Sequence, residues 1–278
     1  MVWIKVVSAA ASAVAPPVER MANSRWFSFP MGRTPRGTRA EYERLFASVR
    51  AERYPEVEAY EAARGFAIDT AWLDELALHT QVTIKSSALC YAHGRLLYAT
   101  VRDYVRRQNP GKVTVLETGT ARGFSSLCMA RALDDAGVAG TVITFDVLPH
   151  DVPMYWNCID DLDGPRSRAE LLRPWADMVE RYVVYHQGDT LRELPKVYLP
   201  RVNVAFLDGQ HTYEHVTREF EAVRGRQRPG DVIFFDDYTP GTFPGVVQAV
   251  DEICARHGYD RETLGAGDDR GYVVARKR

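Results

Sequence analysis

Cysteine is scarce in this chain of 278 residues: Cys90, Cys128, Cys158 and Cys254 are widely scattered, and no two form a C-x-x-C pair. That spacing argues against a disulfide framework and against a structural zinc site, and it makes a reducing cytoplasm the expected compartment. Long hydrophobic runs are missing too, since nothing approaches the roughly 18 apolar residues that cross a bilayer. Met1 to Ala15 holds an alanine-rich apolar stretch, but Lys5 interrupts it and no strongly basic start precedes it, so a signal peptide is not expected. Nor does one charge dominate: 35 Lys and Arg face 37 Asp and Glu, a formal net charge of −2. No global pull toward nucleic acid or a membrane surface follows, and small molecules become the expected partners.

What the chain does hold is an ordinary globular composition, 46% hydrophobic and 26% charged, with length for one large domain or one domain and an extension. Its organising stretch runs from Val113 to Leu127 and reads as strand, glycine turn and helix. Val113 to Leu116 is β-branched and aliphatic, as a strand buried on both faces requires, and it ends in Glu117. Gly119 and Gly123 allow a tight turn before Phe124 to Ala132 resumes with helical character. A dinucleotide needs G-x-G-x-x-G so that its diphosphate can approach the backbone. Here the pattern is Glu117-x-Gly119-x-x-x-Gly123, with Ala121 in place of the second glycine and a carboxylate where a phosphate would be repelled. A cationic or zwitterionic ligand fits better; the alternative is a plain tight connection. The pattern resembles the first motif of class I methyltransferases that use S-adenosylmethionine (SAM).

Ahead of this stretch, residues 1–37 read as an irregular arm, with Pro16, Pro17, Pro30 and Pro35 among several Arg. Thr38 to Arg53 has helical apolar spacing through Tyr42, Leu45, Phe46 and Val49, and Pro55 interrupts it. Asp69 opens another helix, and a longer one spans Ser87 to Arg107 before the turn Asn109-Pro110-Gly111. Residues 38–110 are thus expected to form a helical extension, either capping the site or joining two subunits as a homo-oligomer. Within it, Gln81 to Ser87 is either a segment that closes over the site, with Lys85 and His93 facing inward, or a simple connector.

From Val113 onward strand and helix alternate, the pattern of a parallel sheet wrapped by helices. Gly140 to Phe145 is the second strand and ends at Asp146, placed either to accept the ribose hydroxyls of an adenosine or to cap a helix. Residues 147–180 exceed a simple crossover, and Trp156 with Trp175 offers an aromatic substrate wall or the insertion's own apolar face. Tyr182 to Gln187 is the third strand, with Gly188-Asp189-Thr190 at its tip. Asn203 to Leu207 and Asp231 to Phe235 are the fourth and fifth, ending in Asp208-Gly-Gln-His211 and Asp236-Asp237-Tyr238. Ligands of such sheets bind at that C-terminal edge. Carboxylates gathered there raise one another's pKa unless a cation neutralises them, and an all-oxygen set suits a hard ion such as Mg²⁺. His211 is a candidate base for a hydroxyl held by such an ion; capping by Asp208 or Asp237 and a packed His211 are the alternatives.

Taken together, Asp208-Gly209, Asp236-Asp237-Tyr238 and Ala249-Val-Asp-Glu252 resemble the metal-dependent small-molecule O-methyltransferases, above all the bacterial group acting on sugar hydroxyls of macrolide and aminocoumarin antibiotics. The likeness covers roughly residues 112–275. It implies an α/β, Rossmann-like, doubly wound domain over residues 111–278, with a mostly parallel seven-stranded sheet. The antiparallel last strand would be Tyr272 to Ala275, turned at Asp268-Asp-Arg-Gly271. The resemblance further implies Asp208, Asp236 and Asp237 as metal ligands, and Glu117, Gly119, Gly123, Ser125, Asp146 and Asp189 as SAM contacts. Catechol-type relatives carry a lysine base close behind the first metal aspartate. Gln210 and His211 occupy that region here, which moves the expected catalytic pair to His211 and Asp208.

The expected activity is therefore methyl transfer from SAM, aided by Mg²⁺ or a similar divalent cation, to a hydroxyl of a small molecule such as a sugar diol or a polyketide. Metal-independent methyl transfer, an NAD-dependent oxidoreductase and a non-catalytic SAM-binding protein are the rivals.

Overall fold

The structure, a computed structural model, describes residues 31–267 and 270–278. The apolar stretch Met1 to Ala15, most of the arm, and Asp268-Asp269 of the last turn lie outside the described residues. Four helices come first: α1 (Arg39–Arg50), α2 (Pro55–Arg64), α3 (Thr70–Thr80) and α4 (Ala92–Gln108). Thr38 caps α1, and Glu41 returns a bond to the Thr38 N–H at 2.7 Å. Pro55, expected only as an interruption, occupies the first turn of α2, where its missing N–H has no helical partner to lose. Asp69 caps α3 as expected, accepting from Trp72 N at 2.8 Å. By contrast, α4 starts at Ala92 rather than Ser87. Ahead of it, Asn157 accepts from Ile84 N at 3.2 Å and donates to Ile84 O at 2.9 Å.

The alternating region follows as β1 (Lys112–Thr118), α5 (Phe124–Asp135), β2 (Ala139–Asp146), α6 (Ala176–Tyr182), β3 (Val183–Gln187), β4 (Val204–Leu207), α7 (Tyr213–Arg224), β5 (Val232–Phe235), α8 (Pro244–His257), β6 (Tyr259–Gly265) and β7 (Gly271–Lys277). The seven strands lie in the order β3-β2-β1-β4-β5-β7-β6. Strands β1 to β5 are parallel, and β7 runs antiparallel to both β5 and β6. This is the expected seven-stranded Rossmann-like sheet with its antiparallel closing strand. The order reverses between β1 and β4, which opens a crevice at their C-terminal tips.

Side-chain alternation along the strands fills two cores. On one face Val113, Val115, Phe206 and Phe234 pack with Leu97 and Val101 of α4 and Leu127 of α5. On the other, Leu116, Leu207 and Phe235 pack with Phe220 of α7 and Val250 of α8. β4 and β5 are buried at every position, as strands covered on both faces must be. The helices of the first third share the first core with the sheet. At the opposite strand edge the buried Tyr104 of α4 donates to Asp231 at 2.8 Å and receives from Asn203 at 2.6 Å, which pins α4 to the sheet. Among the described residues no helix is long and apolar enough to cross a membrane.

The insertion between β2 and α6 folds around its own small core of Leu148, Met154, Trp156, Cys158 and Leu171. Trp156 is 1% exposed, and its indole N–H donates to Arg166 O at 2.7 Å. Trp175 is likewise buried, edge-on to His79. Of the two alternatives for these tryptophans, the structure shows apolar packing: Trp156 lies in the insertion's own core and Trp175 in the core shared with the sheet, and neither is left with surface for a ligand.

Candidate active site

The tips of β1, β2, β4 and β5 are stapled together by backbone bonds. Gly119 N–H donates to Phe145 O at 2.9 Å, Asp208 N–H to Thr118 O at 3.2 Å, and Asp236 N–H to Leu207 O at 3.3 Å. Gly119 sits in the left-handed region at φ 88°, and a Cβ there would overlap the carbonyl oxygen of Asp208. Only glycine serves at this point, and the turn after β1 and the tip of β4 meet across it.

Below the turn, the fully buried Glu117 accepts from the hydroxyls of Ser125 and Ser126 at the start of α5. Burial pushes its carboxyl pKa up against the pull of those two serines. Gly123, at φ 90°, caps α5 against Leu172. Asp146 holds the same turn from the β2 side: Ala121 N–H donates to it at 2.6 Å, Leu148 N–H at 2.7 Å, and the Arg168 guanidinium lies 3.4 Å away. Asp189 caps the short helical turn Thr190–Glu193 and accepts from Leu191 N at 2.9 Å, the turn-forming role that its Gly-Asp context also allowed. Glu117, Gly119, Gly123, Ser125 and Asp146 are thus brought together around one turn, while Asp189 stands at the tip of β3.

A second group stands at the tips of β4 and β5. One ligand atom each from Asp208, His211 and Asp237 lies within 4.8 Å of the others. His211 Nδ1 is 2.9 Å from Asp237 Oδ2 and 4.0 Å from Asp208 Oδ1. Asp236 is buried beside them, and its carboxylate accepts the N–H of Asp237 at 2.7 Å. Burial, then repulsion from Asp236 and Asp237, lifts the Asp208 carboxyl far above its usual range. Burial and the Asp237 charge push Asp236 up to about 7. For Asp237 burial also works upward, but the bond and charge of His211 and the charge of Arg270 outweigh it, and the pKa ends low. His211 is the converse: burial works against its charge, yet the Asp237 bond leaves its pKa raised. Asp237 itself adopts φ 53°, a left-handed conformation that aspartate tolerates better than most residues.

Sequence reasoning missed Arg270, whose guanidinium reaches Asp237 at 3.1 Å from just ahead of β7. Gly271 makes that approach possible, since a Cβ there would overlap the carbonyl oxygen of Tyr238. The motif residues of the resemblance also meet: Tyr238 OH donates to Asp251 of α8 at 2.8 Å, which braces the loop carrying Asp237. Glu219 of α7 was missed as well. It is buried at 1% exposure and accepts from Thr118 Oγ1 at 3.1 Å and Thr190 Oγ1 at 2.7 Å, and burial pushes it up to about 7. Neither residue carries a sequence signal: Glu219 sits within an amphipathic helix and Arg270 in the closing hairpin's turn.

Lys85 and His93 flank the start of α4. Lys85 is exposed to solvent, yet Arg270, Arg122 and Asp237 all act on its charge. Burial first, then the two arginines, lowers its pKa to about 8. His93 stands 4.9 Å from the Phe124 ring and stacks over Phe206 at 6.4 Å; burial drives its pKa down to about 3, so it is neutral. An exposed Lys85 and a His93 packed on Phe124 and Phe206 match the connector alternative for this segment. Two surface hollows, about 290 Å³ beside His257 and about 560 Å³ beside His79, hold none of these residues.

Residues 116–238 match a family model described as a methyltransferase domain, a span running from the tip of β1 through Asp237. No curated protein matches the chain. Solved structures do. O-methyltransferase NovP is 19% identical with a TM-score of 0.55, covering 75% of this chain and 99% of its own. TomG from Streptomyces achromogenes, an O-methyltransferase involved in tomaymycin synthesis and solved in complex with SAM, is 20% identical with a TM-score of 0.53, covering 76% and 92%. Cofactor-bound Rv0187 from MTB is 19% identical with a TM-score of 0.51, covering 81% and 90%. The family model thus matches a little under half of the chain, and the fold is the one seen in the O-methyltransferases NovP and TomG.

Proposed function

We propose that this domain transfers the methyl group of SAM to a hydroxyl of a small molecule, with a divalent cation such as Mg²⁺ assisting. The observation that carries the proposal is the convergence of Asp208, His211 and Asp237 beside the glycine turn. SAM would lie over that turn, its ribose toward Asp146 and its cationic end toward the acidic tips of β1 and β4. An electrically positive sulfonium is favoured there, whereas a diphosphate would meet carboxylates.

The donor set fits a hard cation. Carboxyls that hold one another's pKa up gain most when a positive ion arrives, and carboxylate oxygens suit Mg²⁺ or a close relative. Asp208 and Asp237 would hold it with Asp236 beside them. Such an ion, when bound, lowers the pKa of a hydroxyl and orients it. The protein's own part is the proton. Because a carboxylate can only accept, the contact to Asp237 places a proton on Nδ1 of His211 and leaves Nε2 to receive the acceptor's proton. The oxygen then takes the methyl, the C–S bond breaks, and S-adenosylhomocysteine leaves.

Calorimetric titration with S-adenosylhomocysteine tests the reading, once with Mg²⁺ and a diol present and once in chelator. Binding in both, with the diol recognised only when metal is present, supports cofactor and cation together. Asp208→Asn should retain cofactor binding and lose the diol. Full turnover in chelator would leave methyl transfer and remove the cation; no binding in either would remove both.

A further inference from the structure

Two arginines are exchanged between the glycine turn after β1 and the insertion after β2. Arg122, in the turn, donates from Nε to Trp156 O at 2.7 Å, with Nη2 on the same carbonyl, and from Nη1 to Thr80 O at the end of α3 at 3.4 Å. Arg168, in the insertion, reaches back. Its Nε donates to Ala121 O at 2.8 Å, and its Nη2 lies 3.4 Å from Asp146 Oδ2 and 3.5 Å from Leu148 O. The Arg168 guanidinium stands over the rings of Trp156 and Tyr185, 5.5 Å from each centroid, and the residue is 1% exposed. Burying an arginine is unfavourable unless its donors are matched, and these donors go to the turn and to the tip of β2.

Ala121 stands where the two meet. Its φ of 46° is left-handed, a conformation that a residue with a Cβ keeps only where its surroundings impose it. Here both of its backbone groups are held by side chains: the N–H by Asp146 at 2.6 Å and the C=O by Arg168. Resting on the methyltransferase reading above, we propose that Arg168 is a positioning residue for the cofactor, holding Ala121 in the conformation that SAM meets, so that cofactor binding and the packing of the insertion are coupled through Arg168 and Arg122. The coupling is reciprocal. If the insertion favours this turn, a cofactor that selects the turn must tighten the insertion by the same factor.

Amide exchange in the native chain, with and without S-adenosylhomocysteine, reads the coupling before any substitution is made. The ligand should slow exchange by about fivefold or more in residues 154–168 as well as in residues 119–123, and leave β6 and β7 unchanged. Arg168→Met should weaken S-adenosylhomocysteine by about tenfold or more, as the loss of charge-assisted hydrogen bonds allows, and Arg168→Lys, which keeps the cation but not the fork, should lose less. Glycine takes positive φ freely, so Ala121→Gly added to Arg168→Met should recover most of the lost affinity, a rescue that an arginine serving only global stability would not show. Protection confined to residues 119–123, undiminished affinity in Arg168→Met, or a loss that Ala121→Gly does not reduce overturns the proposal. Should Arg168→Met fail to fold, the exchange pattern of the native chain decides alone. Failure of the native chain to bind S-adenosylhomocysteine removes the methyltransferase reading and this proposal with it, whereas binding without protection of the insertion removes the coupling only.

Discussion

His211 and Asp237 meet through Nδ1 and Oδ2 at 2.9 Å, so the imidazole is oriented by a carboxylate from the next strand. If Nε2 is the base, the rate should rise with pH as the imidazole loses its charge. The Asp237 bond raises the pKa of His211, so the neutral, accepting form predominates only above the ordinary imidazole range. His211→Ala should cost roughly 10²- to 10⁴-fold in kcat and abolish this limb of the profile. A pH profile of kcat in both proteins checks it, and an unchanged limb in the variant would assign the titration elsewhere.

Gly119→Ala tests the meeting of the β1 turn with the tip of β4. The substitution places a methyl group on the Asp208 carbonyl and asks alanine to hold φ 88°. Backbone strain alone is worth ~1–3 kcal/mol, and the overlap adds to it. Urea unfolding should show that loss, and affinity for S-adenosylhomocysteine should fall with it. Gly137→Ala makes a useful control: its φ is also positive, at 61°, but no atom lies within 4 Å of a Cβ there. If Gly119→Ala proved as mild as Gly137→Ala, the close approach of the two tips would be refuted.

How far the sequence alone could reach depends on the kind of residue. The turn from Glu117 to Gly123 was legible because strand, glycines and helix are contiguous. Asp208 and Asp236-Asp237 were legible because each ends an apolar run, and adjacent parallel strands bring such ends together. Pro244 to His257 was legible to the residue because proline opens the helix and Gly258, at φ 72°, closes it. Arg270 was not, since nothing in a closing hairpin says that its turn folds back on β5. Glu219 hides within an amphipathic helix, where a glutamate normally reads as solvated surface. Trp156 stayed open between two readings because an aromatic in a long insertion looks the same whether it faces a ligand or the insertion's own core.

Asn157 links the insertion to the segment that presents Lys85. Its side chain is buried and bonds to Ile84 at both backbone groups, and Tyr42 OH adds a weaker bond at 3.4 Å. Asn157→Ala would leave the Ile84 N–H and C=O without these partners, at a cost of ~1–3 kcal/mol locally. Amide exchange over residues 82–87 should accelerate in the variant, while exchange in β4 and β5 should not. Equal acceleration everywhere would mean that Asn157 serves global stability rather than the position of this segment.

Glu219 gives the molecule a stability that depends on pH with a definite sign. Its carboxyl lies under Gly209, between Thr118 and Thr190, with an ordinary value of 4.5 raised by burial to about 7. The fold therefore favours the protonated acid. Its stabilising contribution is complete below pH 4.5 and is lost as the pH rises through about 7, where the folded protein must hold a charge away from water. The gap corresponds to ~3 kcal/mol at most. Glu219→Gln keeps the shape and an acceptor oxygen but never ionises. The variant should match the native protein near pH 5, exceed its stability by up to that amount near pH 8, and show a flatter dependence between. Urea midpoints at the two pH values measure this directly. A variant less stable at pH 8 than at pH 5, by as much as the native protein, would place the buried charge on another group.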